Sequence, residues 1–127
     1  MFPEINLDPD RITEVLNNLI GNALKFTEKG GITVSLERKG SEALVAVRDT
    51  GIGIPEKSIP HLFEKFYQAQ AASSALSNER GGTGLGLYIT KTIIDMHSGK
   101  VWVKSKYRQG TTFFFTLPMN VITEQTQ

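Results

Sequence analysis

Two pairs of strand-patterned segments set the strongest constraint on how this chain folds. Ile32-Thr33-Val34-Ser35-Leu36-Glu37-Arg38 alternates with period two, and Ala43–Val47 follows it across Lys39-Gly40-Ser41. Residues 101–107 and 111–117 repeat the arrangement across Arg108-Gln109-Gly110. Apolar runs this close together, split by glycine turns, predict two antiparallel hairpins. Each hairpin has one apolar face, and that face needs a cover. The intervening helical patterns supply it, which predicts an α+β fold: a sheet covered on one face by helices.

Asp8-Pro9-Asp10 has the chemistry of a helix start: a capping carboxylate, a proline at the first helical position and an acid near the positive end. Ile12, Val15, Leu16, Leu19, Ala23 and Phe26 then fall on one side at helical spacing, and Lys29-Gly30-Gly31 stops the segment. Residues 59–67 predict a short aromatic helix with Phe63, Phe66 and Tyr67 on a core face. Residues 68–80 are small and polar and predict a mobile loop. A glycine-rich stretch, 81–86, leads into a helix with Leu85, Ile89, Ile93 and Met96 on one face, ended by Gly99. One domain over 1–118 and a frayed tail over 119–127 complete the expected organisation.

Composition narrows the chemistry. The 127 residues include no cysteine, which excludes disulfides, zinc–thiolate sites and a cysteine nucleophile. His61 and His97 are too few and too scattered for a histidine metal site, and neither has an Asp or Glu placed to make it an obvious base. A net charge of +1 argues against a nucleic-acid partner. No apolar run reaches membrane-spanning length, and the N-terminus lacks a secretory pattern. These features predict a cytoplasmic domain without direct membrane contact, in a parent that is either soluble or membrane-anchored. The absence of coiled-coil heptads predicts a monomer in isolation.

Three sets of residues carry candidate chemistry. Asn18 and Asn22 lie four apart on one helix face, joined by Lys25. Asparagine is unfavourable inside a helix by roughly 0.5 kcal/mol relative to alanine, so two on one face form either a solvated polar face or neutral oxygen ligands for Mg²⁺ carried by a polyphosphate. Asp49-Thr50-Gly51-Ile52-Gly53-Ile54-Pro55 follows a strand. It reads as an Asp-Gly turn, or as a carboxylate that accepts from an amine such as the adenine 6-amino group, with glycines that let a flat ligand approach. Gly81-Gly82-Thr83-Gly84-Leu85-Gly86 opens a helix, as a hinge or a phosphate cradle. It is not a P-loop, because Leu87 stands where that motif needs lysine, and GxGxxG fails from Gly51, Gly82 and Gly84.

The order of these motifs resembles a family. Paired asparagines on a helix, Asp-x-Gly-x-Gly, a Phe-rich helix, Gly-Gly-Thr-Gly-Leu-Gly-Leu and Gly-Thr-Thr-Phe, over residues 5–118, resemble the catalytic ATP-binding domain of two-component sensor histidine kinases, in the superfamily shared with gyrase, Hsp90 and MutL. The resemblance implies a two-layer α/β sandwich of Bergerat type. Its sheet would be mixed, mostly antiparallel, with about five strands and three helices on one face, the fifth strand lying near Glu4–Leu7. It implies ATP and Mg²⁺ as ligands. Asn22 would be the main Mg²⁺ ligand, assisted by Asn18, with Lys25 at the phosphates and Phe26 beside the adenine. Asp49 would read the adenine amine, with Gly51, Gly53 and Ile54 around it. Leu62-Phe63-Glu64-Lys65-Phe66-Tyr67 matches the family's Phe box. Residues 68–83 would form a lid carrying Arg80. Gly82, Thr83, Gly84, Leu85, Gly86 and Leu87 would cradle the phosphates, and Thr111 would approach the adenine.

The resemblance also implies partners: a histidine-bearing dimerisation domain of the same kinase, and a response regulator downstream. Neither His61 nor His97 lies in the sequence context of a phosphoacceptor histidine. Hydrolysing members of the superfamily carry a glutamate four residues before the Mg²⁺ asparagine; this chain has Asn18 there, which fits presentation of ATP to a histidine. A stand-alone ATPase and a non-catalytic nucleotide-binding module are the alternative functions.

Overall fold

The computed structural model describes residues 5–27, 29–67 and 85–119. Helix α1 runs Pro9–Phe26. Asp8 caps it in extended conformation, its Oδ1 accepting from the N–H groups of Asp10 at 3.0 Å and Arg11 at 3.3 Å. Ile12, Val15, Leu19 and Ala23 are buried along one face, as the periodicity predicts. The helix ends at Thr27, which is extended, and the carbonyl of Phe26 accepts instead from Ile52 N–H at 3.2 Å.

Strands β1 (Ile32–Lys39) and β2 (Glu42–Asp49) form one hairpin, and β3 (Val101–Lys106) and β4 (Gly110–Pro118) the other. The hairpins join through β2 and β4, giving the order β1-β2-β4-β3, antiparallel throughout. Register puts Asp49 opposite Thr111, Val47 opposite Phe113, Val45 opposite Phe115 and Ala43 opposite Leu117. Those side chains face the helices, and Val47, Phe115, Val15, Leu19 and Ile94 form the fully buried centre. A 3-10 helix, Glu56–His61, buries Ser58 and is followed by Leu62, also buried. Helix α2, Gly86–Met96, buries Thr90, Ile93 and Ile94 and packs on α1.

The α+β class and the helix-covered sheet agree with expectation, with differences in detail. The described residues contain four strands rather than five. Glu4 lies outside them, and residues 5–7 join no ladder. Ile5 and Leu7 pack against the core, and the next N–H, that of Asp8, goes to His97 Nε2 at 3.0 Å instead of to a neighbouring strand. His97 Nδ1 bonds the Ile93 carbonyl at 2.9 Å, so this imidazole is a structural bridge from the end of α2 to the start of α1.

Two apolar residues expected in the core are at the surface. Met96 is 79% exposed, because Thr90 and Ile94 take the inward positions and set Met96 on the opposite side of α2. Phe66 is 64% exposed, because the chain leaves helical geometry after His61 and residue 66 adopts φ 66°. Phe63 and Tyr67 do pack inward, Phe63 edge-on to Phe113 at 6.2 Å. His61, for which no acidic neighbour was expected, has Nδ1 2.9 Å from Glu64 Oε2 on the surface. Met119, assigned to the tail, is buried, and its N–H donates to Ser41 O at 2.8 Å. No helix among the described residues is long and apolar enough to cross a membrane.

Candidate functional site

Three pieces of chain are joined: the polar face and C-terminal end of α1, the loop that follows β2, and the first turn of α2. Hydrogen bonds fix the junctions. Ile52 N–H on Phe26 O holds the loop to the end of α1. Asn18 Nδ2 donates to Gly86 O at 3.2 Å and lies 3.4 Å from Thr90 Oγ1, which holds α2 to the middle of α1. A carbonyl tolerates only the NH₂ side of an amide, so Asn18 Oδ1 is left as the acceptor. Asn22 and Lys25 follow on the same face, both half-buried. Burial lowers the Lys25 pKa, and its Nζ lies 5.2 Å from the centroid of the Phe26 ring.

Asp49 ends β2 with its side chain on the helix side and only 5% exposed. Its Oδ1 accepts from Gly51 N–H at 2.8 Å. Burial raises its pKa, opposed by the backbone N–H groups of Gly51 and Thr111 and least by the Thr27 hydroxyl, which faces the carboxyl without meeting hydrogen-bond geometry. A buried carboxyl held by backbone donors, with its pKa raised by burial, is a functional-site candidate.

Gly51 and Gly53 are required by the protein itself. A side chain at Gly51 would run into the Phe26 carbonyl and the Thr27 hydroxyl, and one at Gly53, which has φ 76°, into the Lys106 carbonyl. The glycines expected to admit a flat ligand therefore admit neighbouring backbone. Ile54 is buried and its N–H donates to Ser105 Oγ at 2.8 Å. Ser105 Oγ also lies 2.8 Å from Thr111 Oγ1 and 3.1 Å from Gly110 O. The Thr111 hydroxyl is thus engaged in an internal chain. Arg80, Gly82, Thr83 and Gly84, with the rest of 68–84, lie outside the described residues. Leu85 precedes α2, and Gly86 and Leu87 form its first turn, which has no side-chain cap.

Two residues escaped the sequence reading. Ser105 occupies an inward position of β3, in phase with Val101 and Val103, and a polar residue in that phase was a usable signal. Thr27 Oγ1 is buried with no hydrogen-bond partner, a cost of about 1–3 kcal/mol unless something satisfies it. No local pattern marks it. For a divalent cation, the described residues offer no group of three His, Cys, Asp or Glu side chains. The amide oxygens of Asn18 and Asn22 suit Mg²⁺ only when the ligand brings the negative charge, as a triphosphate does.

Residues 7–121 match the family model described as histidine kinase-, DNA gyrase B- and HSP90-like ATPase. The chain is 43% identical over 117 residues to the sensor histidine kinase WalK of Bacillus subtilis, covering 90% of this chain and 19% of that protein. It is 41% identical over 118 residues to the circadian input-output histidine kinase CikA of Synechococcus elongatus, covering 92% and 15%. The chain thus spans less than a fifth of either relative. Among solved structures it is similar to full-length ShkA in complex with AMPPNP, with TM-score 0.78 and 32% identity, covering 92% of this chain and 23% of that one. The catalytic domain of histidine kinase ThkA gives TM-score 0.74 and 34% identity, covering 90% and 71%. With the family model and these likenesses in agreement, the chain belongs to the histidine kinase-, gyrase B- and HSP90-like ATPase family, on its sensor histidine kinase branch.

Proposed function

We propose that the chain binds Mg²⁺–ATP at this site and presents the γ-phosphoryl group to a histidine on a separate dimerisation domain, in a phosphorelay that ends on a response regulator. The observation that carries the reading is the Asp49 carboxyl, buried and held by the Gly51 N–H beside the end of the helix whose one face bears Asn18, Asn22 and Lys25. A carboxylate there accepts from the 6-amino group of adenine, where guanine offers a carbonyl. The likeness to ShkA, solved with AMPPNP, supports the same ligand class.

Bound Mg²⁺–ATP supplies an electrophilic γ-phosphorus and an ADP leaving group; the protein's part is to hold, orient and screen. Asn18 and Asn22 offer neutral amide oxygens to the metal, and Lys25 offers charge to the phosphates. No acid stands at position 18, and an amide takes no proton at neutral pH. Glu14, one turn further back, is committed to Arg11 at 2.7 Å. Among the described residues of the site no side chain stands ready as a general base, which suits transfer to an imidazole, already nucleophilic, better than activation of water.

The test is to incubate the chain with γ-labelled ATP, Mg²⁺ and the dimerisation domain of a related sensor kinase. The expected product is an acid-labile phosphohistidine that disappears with Asn22→Ala. No calorimetric signal with Mg²⁺–ATP, together with no labelled acceptor, would overturn the reading.

A further inference from the structure

The face of the sheet turned away from the helices carries a second constellation. Register places Arg48, Thr112 and Lys104 in one row across β2, β4 and β3. The next row holds Ala46, Phe114 and Trp102. Trp102 and Phe114 stack at 5.2 Å with 13° between planes, and Lys104 Nζ lies 5.8 Å from the Phe114 centroid. Arg48 and Lys104 stand two strand spacings apart, roughly 10 Å, with the Thr112 hydroxyl between them. Lys106 follows on the same side of β3, and Arg48, Thr112, Lys104 and Lys106, with Asp49 and the β3–β4 turn, line an open depression of about 330 Å³.

The charge on this face is one-sided. Among the described residues, no carboxylate lies within ion-pair distance of Arg48, Lys104 or Lys106. Asp49, next to Arg48, points to the other face. The acids of the open face, Glu37 and Glu42, lie at its far end, and Glu37 pairs with Lys39 at 3.5 Å. Four residues along a strand, as from Glu42 to Ala46, cover roughly 13 Å, more than the screening length of about 8 Å at physiological salt. Three exposed cations beside a half-buried aromatic pair, on a sheet face that no element of the described residues covers, have the anatomy of an interface: an apolar centre flanked by charge of one sign.

We propose that this face docks an acidic segment of a protein partner, with carboxylates reaching Arg48 and Lys104 on either side of Thr112 and an apolar side chain lying on the Trp102–Phe114 pair. A nucleic acid fits less well. The two rings are stacked on each other rather than splayed for bases, and the chain's net charge is only +1.

Trp102 is the chain's single tryptophan, so its emission reports this face directly. The experiment titrates the whole chain with a twelve-residue peptide of glutamates around one central phenylalanine, with the same peptide carrying lysine for glutamate, and with twelve-residue oligothymidine. The expected result is a saturable change in Trp102 emission with the acidic peptide alone. It weakens at least about fivefold in the Arg48→Glu, Lys104→Glu double variant, and similarly between about 50 and 300 mM salt. Circular dichroism checks that the double variant is folded, with Lys104→Gln as the milder substitute. No saturable change up to millimolar peptide, an equal response to the lysine peptide, or tighter binding of oligothymidine would each overturn the proposal.

Discussion

The side-chain amide of Asn18 donates to the carbonyl of Gly86 at 3.2 Å, so a residue in the middle of α1 holds the first residue of α2. This bond explains why an amide, rather than an acid, is tolerated at position 18 in this packing. Asn18→Asp would turn an acceptor toward an acceptor. It should cost about 1–3 kcal/mol of stability, whereas Asn18→Ala, which only removes the bond, should cost about 1 kcal/mol. Urea denaturation checks both. An Asp variant as stable as the parent would mean that α2 is positioned by its apolar contacts alone.

Asp49 predicts a conflict between stability and binding. Its pKa is raised by burial above the ordinary 3.8, so the folded chain holds that proton to higher pH than the unfolded chain does. The stability linked to this group is fully present below the unfolded value and is lost as pH rises through the raised folded value. Asn at this position carries no such charge. Asp49→Asn should therefore match or exceed the parent's stability at neutral pH, by on the order of 0.5–1 kcal/mol, with the gap closing as pH falls through the carboxylate range. Its affinity for ATP should drop at least about tenfold, since a charge-assisted hydrogen bond is worth about 1.5–3 kcal/mol. Thermal unfolding against pH, paired with calorimetry, reads both effects. A variant with parental ATP affinity would remove Asp49 from the nucleotide site.

Thr27 extends the same logic to a residue next to Asp49. Its hydroxyl is buried and unpartnered, and Gly51 is the residue whose missing side chain makes room for it. Thr27→Val keeps the shape and deletes the polar atom. The free protein should become more stable by about 1 kcal/mol, because an unsatisfied group is removed. If the hydroxyl takes part in holding the carboxylate or its ligand, ATP affinity should fall several-fold, and Thr27→Ser should restore it. A valine variant less stable than the parent would show that the hydroxyl is already satisfied in solution.

How far these residues were legible in the sequence follows from how local their determinants are. The Asp8 cap, the buried stripe from Ile12 to Ala23 and the two hairpins depend on neighbours a few residues away, and all three were readable. The central pairing of β2 with β4 was not, because Asp49 and Thr111 are far apart in sequence and no local pattern selects that partner. Met96 and Phe66 were misplaced for different reasons: the apolar stripe read along α2 is rotated from the face that Thr90 and Ile94 bury, and helical spacing was carried past His61, where the 3-10 helix ends. In the site, Asn18, Asn22, Lys25 and Asp49 announced themselves as polar residues in apolar surroundings. Thr27 and Ser105 matter through contacts with distant segments, and the protein's own backbone fills the space beside Gly51 and Gly53.

The Ser98-Gly99 pair that ends α2 makes the last prediction. Ser98 has φ 62°, a left-handed conformation that costs a residue with a side chain roughly 1–2 kcal/mol, while glycine adopts it freely. Gly99, in contrast, has no positive φ, but a side chain there would collide with the Thr116 carbonyl and press on the Ile94 side chain. The two positions therefore respond in opposite directions to nearly the same chemical change. Ser98→Gly should stabilise the chain by about 0.5–1 kcal/mol, because the strain relieved exceeds the extra unfolded-state entropy. Gly99→Ala should destabilise it by at least about 2 kcal/mol, since the β4 backbone has to shift and Ile94 lies in the buried centre. Paired denaturation curves decide the matter: a destabilised Ser98→Gly, or a Gly99→Ala variant that unfolds with the parent, would mean that α2 ends differently in solution and that its junction with β3 is looser than the Gly99–Thr116 approach requires.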